Sequence, residues 1–294
     1  MRNCELKEVY CGLFGSPARP PEVYFAPGRV NLIGEHIDYN GGLVMPAAIS
    51  LGIRAAVSAR SDNVVEMRSL NEEGAVRVVL DKEILFSERD GWGNYPKGVL
   101  KHLSDQGARL GGMNILFSGD LPVGAGLSSS AAIEVLTGYI ILDQFGGEQV
   151  DGTRLALTCK EAENEFIGVN CGIMDQFTSA MGKEGRAILL DCATLDFEYL
   201  PVELGEFSLV IMNSNKKRAL SESRYNERRS ECDAALKLIA SERKIENLCD
   251  ARPCDVEELI SDPVLRKRAL HAVTENSRVK KAASALRGND VAGF

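Results

Sequence analysis

The 294-residue chain has a single tryptophan, three histidines and, among eight cysteines, no Cys-x-x-Cys pair. The cysteines (Cys4, Cys11, Cys159, Cys171, Cys192, Cys232, Cys249, Cys254) are scattered, and no histidine stands near one at zinc-ligand spacing. A zinc site built on thiolates is therefore not expected, and reduced thiols are. Long apolar runs are also missing. No window approaches the roughly 18 uninterrupted apolar residues of a membrane helix, and the N-terminal MRNCELKEVY carries charge where a signal peptide needs an apolar core. The expected location is the cytoplasm, with no membrane partner. Basic clusters are absent too: 34 Lys and Arg against 42 Asp and Glu give a net charge of −8, so a nucleic-acid partner is not expected.

What is present is a globular composition, 45% hydrophobic, in a chain long enough for about two domains. Elements of both periods alternate along it. Val23 to Ala26 predicts a short strand, followed by extended apolar segments in LVMPAAISLGIRAAVSAR and a hairpin of VVEMRSL with AVRVVL. NYPKGVLKHLSDQG predicts a helix ending at Gly107. MNILFSGDLP predicts a half-buried strand with Met113, Ile115 and Phe117 inward. SSSAAIEVLTGYIILDQF then predicts a helix with Ala132, Val135, Leu136, Tyr139 and Ile140 on its apolar face. Another helix is expected over about Thr153 to Phe166. The pattern restarts near Leu200 with FSLVIMNS as a strand and a charged helix from about Ser223 to Glu242, so a domain boundary is placed there, giving 1–200 and 201–294.

Two stretches concentrate chemistry. APGRVNLIGEHIDYNGG, from Ala26 to Gly42, holds one arginine, two acids and one of the three histidines between glycines. GDLPVGAGLSSSAA, from Gly119 to Ala132, places flexible glycines between a strand and a helix that opens on three serines. Glycine lets a backbone approach an anion, helix-start N–H groups point at it, and hydroxyls add donors or a metal ligand. The stretch lacks the lysine of GxxxxGK[ST], the third glycine of GxGxxG and the pattern of GxSxG. On its own it reads better as an ordinary Gly/Ser helix-capping turn, since short glycine patterns are weak evidence.

PGRVNLIGEHIDYNGG and PVGAGLSSSAA together resemble the first two motifs of the GHMP kinases, and the wording of the first resembles the galactokinase signature. NCGIMDQFTSAMG, from Asn170 to Gly182, is similar to the galactokinase segment that delivers a catalytic aspartate. The three blocks stand in the family's order, and looser matches between them extend the resemblance over nearly the whole chain. It implies an α+β, two-layer α/β architecture of the GHMP kinase type, with a left-handed βαβ unit in the N-terminal domain, against the usual hand, and an incomplete C-terminal GHMP domain. The activity it implies is transfer of the γ-phosphoryl group of ATP to the C1 hydroxyl of galactose, with ATP and Mg2+ as cofactors and a full-length monomer.

By the same resemblance, Asp175 is the catalytic aspartate and Arg29 the arginine that stabilises the transferring phosphoryl group. Glu35, His36, Ile37, Asp38, Gly172 and Tyr225, with Asp175, are the expected sugar-binding positions. Gly124, Ala125, Gly126, Leu127, Ser128, Ser129 and Ser130 hold the phosphates, Ser69 and Trp92 reach the nucleotide, and Ser130 with Glu163 handles Mg2+. Read without the resemblance, Asp175 could be a helix N-cap, Arg29 a surface ion-pair partner, Tyr225 half-buried packing, Glu163 a solvated helix face and Trp92 a core residue.

The third GHMP motif, a glycine-rich loop of the TGAGFGG type, is not found. The chain stops at ALRGNDVAGF, where galactokinases continue, so a shortened chain with poor solubility and weak or no activity is expected. A sugar and ATP sensor without turnover, and a kinase for galacturonate, arabinose or N-acetylgalactosamine, stay open as readings.

Overall fold

A computed structural model describes residues 2–122, 124–147, 149–213 and 221–294. The chain forms two compact units, one of residues 1–28, 49–168 and 175–181, the other of 29–48, 169–174 and 182–294. The expected boundary near Leu200 falls inside the last of these segments. Among the described residues no helix is long and apolar enough to cross a membrane.

The first unit is built on β3 (Pro46–Ala59), β4 (Val64–Ser69), β5 (Ala75–Val79) and β6 (Met113–Gly119), with β1 (Glu22–Asn31) also paired to β3. The predicted hairpin is present: β4 and β5 are antiparallel with Met67 opposite Val76. β6 runs antiparallel to β3 and parallel to β4. A parallel neighbour requires a crossover, and α2 (Asn94–Asp105) lies on that connection. With α3 (Ser129–Ile141) and α4 (Gly152–Ala162) it covers one sheet face in a core of Val57, Met67, Ile115, Phe117, Val99, Leu136 and Leu155.

Burial of β6 exceeds the expectation of a half-buried strand. Leu116, on the opposite face from Ile115, is also fully buried, against Ala56 and against Leu6 and Tyr10 of α1 (Asn3–Phe14). The N-terminal helix supplies a second cover that the alternation within β6 alone does not announce. The expected face of α3 needs one correction: Ala132, Val135, Leu136 and Ile140 are buried, but Tyr139 is 43% exposed, its ring tilted against Tyr24 at 6.2 Å. Glu134, Thr137 and Gly138 are buried as well, so the helix is enclosed almost all round.

The second unit contains β2 (Leu43–Val44), β7 (Arg186–Asp191) and β8 (Phe197–Pro201), β7 lying between the other two, together with α6 (Ser221–Ala240), α7 (Pro253–Leu259) and α8 (Pro263–Arg287). Helix α8 starts at Asp262, whose carboxylate accepts from the N–H groups of Val264 and Leu265, with Pro263 at the first helical position. Ala269, Ala272, Val279 and Ala283 form its buried side. The strand expected in FSLVIMNS is not formed: residues 207–213 are irregular, and Phe207, Leu209, Val210, Ile211 and Met212 are all exposed. Strand propensity needs a paired edge to be realised. Ser214, the last residue of that segment, lies outside the described residues.

Burial of β6 on both faces is testable. Ile115→Ala and Leu116→Ala are each expected to cost about 2–4 kcal/mol in urea denaturation; a loss below about 1 kcal/mol for Leu116→Ala would mean that α1 does not seal its face.

Candidate active site

In the first unit the chain leaves β6 at Gly119, whose N–H and C=O are both held by the Asn71 side-chain amide, at 2.6 and 2.9 Å. The loop that follows turns through left-handed backbone at Gly124 (φ 71°), Gly126 (φ 77°) and Ser128 (φ 61°) before α3 begins. Glycine adopts such angles without strain; Ser128 is the exception, and its side chain has a specific partner. Ser128 Oγ donates to Asp175 Oδ2 at 2.6 Å. Its hydroxyl does not cap α3, so the N–H groups of the first turn are not served by it.

A cavity of about 250 Å3 opens beside this loop, lined by Ser69, Asn71, Trp92, Tyr95, Phe117, Leu121, Ser129, Ser130 and Ile133 among others. It brings together four of the expected nucleotide positions: Ser69, Trp92, Ser129 and Ser130. Trp92 meets Phe117 edge-on at 5.8 Å and 78°, leaving an aromatic wall of the kind a flat heterocycle stacks on.

Asp175 is the second residue of α5 (Met174–Met181), inside the helix and not its N-cap. Its neighbour Gln176 is fully buried and donates through Nε2 to Glu163 Oε2 at 2.6 Å and to Glu134 Oε2 at 3.1 Å. Glu163 is 6% exposed, so it is not part of a solvated helix face. It opens a π-helical turn, Glu163–Ile167, at the end of α4, and such turns are frequent at functional sites. Glu134 lies one turn beyond Ser130 on α3 and is completely buried, with Oε1 lacking a hydrogen-bond partner among the described residues. Burial first, then the nearby charges of Glu163 and Asp175, push its pKa well above the ordinary carboxylate value. Burial therefore favours the neutral form of Glu134.

In the second unit Glu35, His36, Ile37 and Asp38 follow Gly34, which has φ 107°. His36 Nδ1 shares a 2.8 Å hydrogen bond with the Tyr39 hydroxyl, and the His36, Tyr39 and Tyr225 rings meet pairwise with centroids 5.5–5.9 Å apart. The His36 side chain keeps solvent contact, yet the surrounding protein depletes water around the ring, and this desolvation lowers its pKa from the ordinary imidazole value. Arg229 lies over the Tyr39 ring at 5.3 Å and donates to the carbonyls of Asn170 and Cys171. Gly172 approaches the Asp38 carboxylate so closely that a Cβ there would lie 1.9 Å from Oδ2. Ile37 is fully buried and anchors the loop in the core of the unit. Thus His36, Asp38, Gly172 and Tyr225 come together around Tyr39, with Glu35 next in the chain. Arg29 belongs to this unit as well, at the end of β1.

Residues 8–59 match the family model described as the galactokinase galactose-binding signature, and 94–183 match the GHMP kinases N terminal domain. A galactokinase of Clostridium tetani is 49% identical over 281 residues, 95% of this chain and 71% of that protein. The crystal structure of Lactococcus lactis galactokinase complexed with galactose matches with a TM-score of 0.92 at 41% identity, over 97% of this chain and 74% of that one. The chain belongs to the galactokinase family. Its α+β fold is the GHMP kinase fold, shared at 20% identity and a TM-score of 0.56 with Methanococcus jannaschii mevalonate kinase.

Several residues beside the expected positions were not singled out from the sequence. They are Asn71, Glu134 and Gln176 in the first unit and Tyr39 and Arg229 in the second, together with two residues of α8: His271, whose Nε2 donates to the Glu35 carbonyl, and Glu275, whose Oε1 accepts from the Gly34 and Glu35 N–H groups. Tyr39 and Gln176 lie inside the recognised motifs, and that position was the one available signal. The oxygen donors Ser130 and Glu163, with the unpartnered Glu134 Oε1 nearby on α3, suit a hard divalent cation. Among the described residues no group of three or more His, Cys, Asp or Glu could enclose one.

The buried acid generates a pH prediction for the metal-free protein. Because the folded pKa of Glu134 exceeds the unfolded one, its favourable contribution is complete below about pH 4.5 and is lost as pH rises towards the folded value. Glu134→Gln is expected to stabilise the protein more at pH 8 than at pH 4.5, because the glutamine amide carries no charge to desolvate as pH rises. Equal effects at both pH values in urea denaturation would show that Glu134 is not held neutral.

Proposed function

We propose that this chain binds ATP at the β6–α3 loop and galactose at the residue 35–38 loop, and that it transfers the γ-phosphoryl group to the C1 hydroxyl of the sugar. The observation that carries the reading is the 2.6 Å hydrogen bond from Ser128 to Asp175: it ties the glycine loop to the carboxylate expected to accept the hydroxyl proton. Family membership and the galactose-bound relative support the substrate class. Residues 1–200 would form the GHMP kinase N-terminal domain and 201–294 part of the C-terminal one.

The roles follow from chemistry at named atoms. Backbone N–H groups from Gly124 to Ser130 face the phosphates, where a helix start favours negative charge. Ser69 and the Trp92–Phe117 wall receive the base. Asp175 orients the C1 hydroxyl and takes its proton as the bond to phosphorus forms. Arg29 offsets the charge that develops on the phosphoryl oxygens. Glu35 and Asp38 accept from sugar hydroxyls, while neutral His36 can donate or accept. Tyr225 provides an apolar ring face for the sugar. Ser130 and Glu163 would hold Mg2+, which when bound neutralises phosphate charge.

Asp175→Asn is expected to lower turnover with galactose by at least about a thousandfold while ADP affinity changes less than about twofold, because the acceptor is lost and the cradle kept. Turnover measured with radiolabelled ATP across galactose, galacturonate, arabinose and N-acetylgalactosamine tests the substrate; phosphorylation of another sugar in preference to galactose would overturn it. Trp92 is the only tryptophan, so ADP should change the intrinsic emission of the protein, and Trp92→Phe should abolish that signal. Emission unaffected by saturating ADP would remove Trp92 from the nucleotide site.

A further inference from the structure

The loop that carries Glu35, His36, Ile37 and Asp38 is anchored by α8, some 240 residues further along the chain. Glu275 Oε1 accepts from the backbone N–H of Gly34 at 2.9 Å and of Glu35 at 3.1 Å. Its other oxygen pairs with Arg278, which donates from Nε at 2.8 Å. One turn earlier on the helix, His271 Nε2 donates to the carbonyl of Glu35 at 2.8 Å. Asn276 Oδ1 accepts from the N–H of Leu43 at 2.9 Å, beyond the other end of the loop. The β2 backbone sets the clearance: a Cβ on Gly34 would stand 2.8 Å from Val44 Cα and 2.9 Å from Leu43 O, with Val279 Cγ2 of α8 at 3.3 Å. Gly34 is thus required both by its positive φ and by the approach of β2.

We propose that Glu275 is a positioning residue for sugar recognition, its carboxylate fixing the backbone at Gly34 and Glu35 and so setting where the side chains of Glu35, His36 and Asp38 present their polar atoms. The proposal rests on the galactose-binding reading of the 35–38 loop. Glu275 is 7% exposed, and a buried carboxylate that accepts two backbone N–H groups and an arginine holds all three partners to one geometry. Burial pushes its pKa up, but the N–H groups of Gly34 and Glu35 and the Arg278 guanidinium outweigh that and leave it below the ordinary value. The carboxylate is ionised as an acceptor should be. His271 and Asn276 hold the flanking backbone from the same helix, so the loop follows α8 as a unit. A loop placed in this way meets the sugar with its polar groups already arranged, which lowers the ordering cost of binding.

The test compares Glu275→Ala, which removes the acceptor, with Glu275→Gln, which keeps an amide oxygen for the two N–H groups but loses the charge pair with Arg278. Calorimetric titration should show galactose Kd raised at least about tenfold in Glu275→Ala and within about threefold of wild type in Glu275→Gln, with ADP Kd within about twofold in both. Residue-resolved hydrogen exchange should show the Gly34 and Glu35 amides exchanging at least about tenfold faster in Glu275→Ala only. Equal weakening of galactose and ADP, or unchanged galactose affinity in Glu275→Ala, would overturn the proposal. If the wild-type chain fails to bind galactose, the functional reading falls, and the proposed role in sugar recognition falls with it; the exchange of the two amides then still decides whether Glu275 fixes the loop backbone.

Discussion

Two buried carboxyl groups share one amide in the first unit, and the placement of Asp175 and of the glycine loop depends on that arrangement. Gln176 Nε2 sits between Glu134 of α3 and Glu163 at the end of α4. An unserved polar group in such a core costs on the order of 1–3 kcal/mol, so three helices are held in register by the need to satisfy a few atoms. Helix α3 carries the glycine loop at its start, and α5 carries Asp175 beside Gln176. Holding the helices together also holds the Ser128–Asp175 bond. Burial and the neighbouring charges raise the Glu134 pKa, because two ionised carboxylates at this burial would repel without water to screen them.

The second unit solves a different problem. Residues 35–37 lie outside any strand or helix, so their backbone groups need other partners. Gly34 and Glu35 turn to side chains of α8, Ile37 O accepts from the N–H groups of Asn40 and Gly42, and the His36, Tyr39 and Tyr225 rings cluster beside them. Glycines appear where another part of the chain comes too close for a Cβ, Gly34 at Val44 and Gly172 at the Asp38 carboxylate. The motif glycines are therefore packing residues as much as turn residues.

Much of the molecule was legible from local pattern. The β4–β5 hairpin, α2, α3 and α4 all follow from periodicity and breakers, because each satisfies its backbone locally or with a near neighbour. The failures share a cause. Leu116 and Tyr139 were misplaced because burial depends on what covers a face, and α1 and Tyr24 are far away in sequence. FSLVIMNS has the composition of a strand, but composition does not supply a partner. Among the site residues, Ser69, Trp92, Ser129 and Ser130 were recognised and share one cavity, whereas Asn71, Glu134 and Glu275 had no local signature.

By itself the sequence determined family and fold type, since three long motifs in fixed order constrain many positions at once. Only the tertiary structure decided that Glu163 is buried, that burial raises the Glu134 pKa, that Ser128 bonds Asp175 instead of capping its helix, and that α8 holds the Gly34–Glu35 backbone. Each of these is a property of an environment assembled from segments that are remote in the chain. Desolvation and hydrogen-bond pairing have no value until those segments meet.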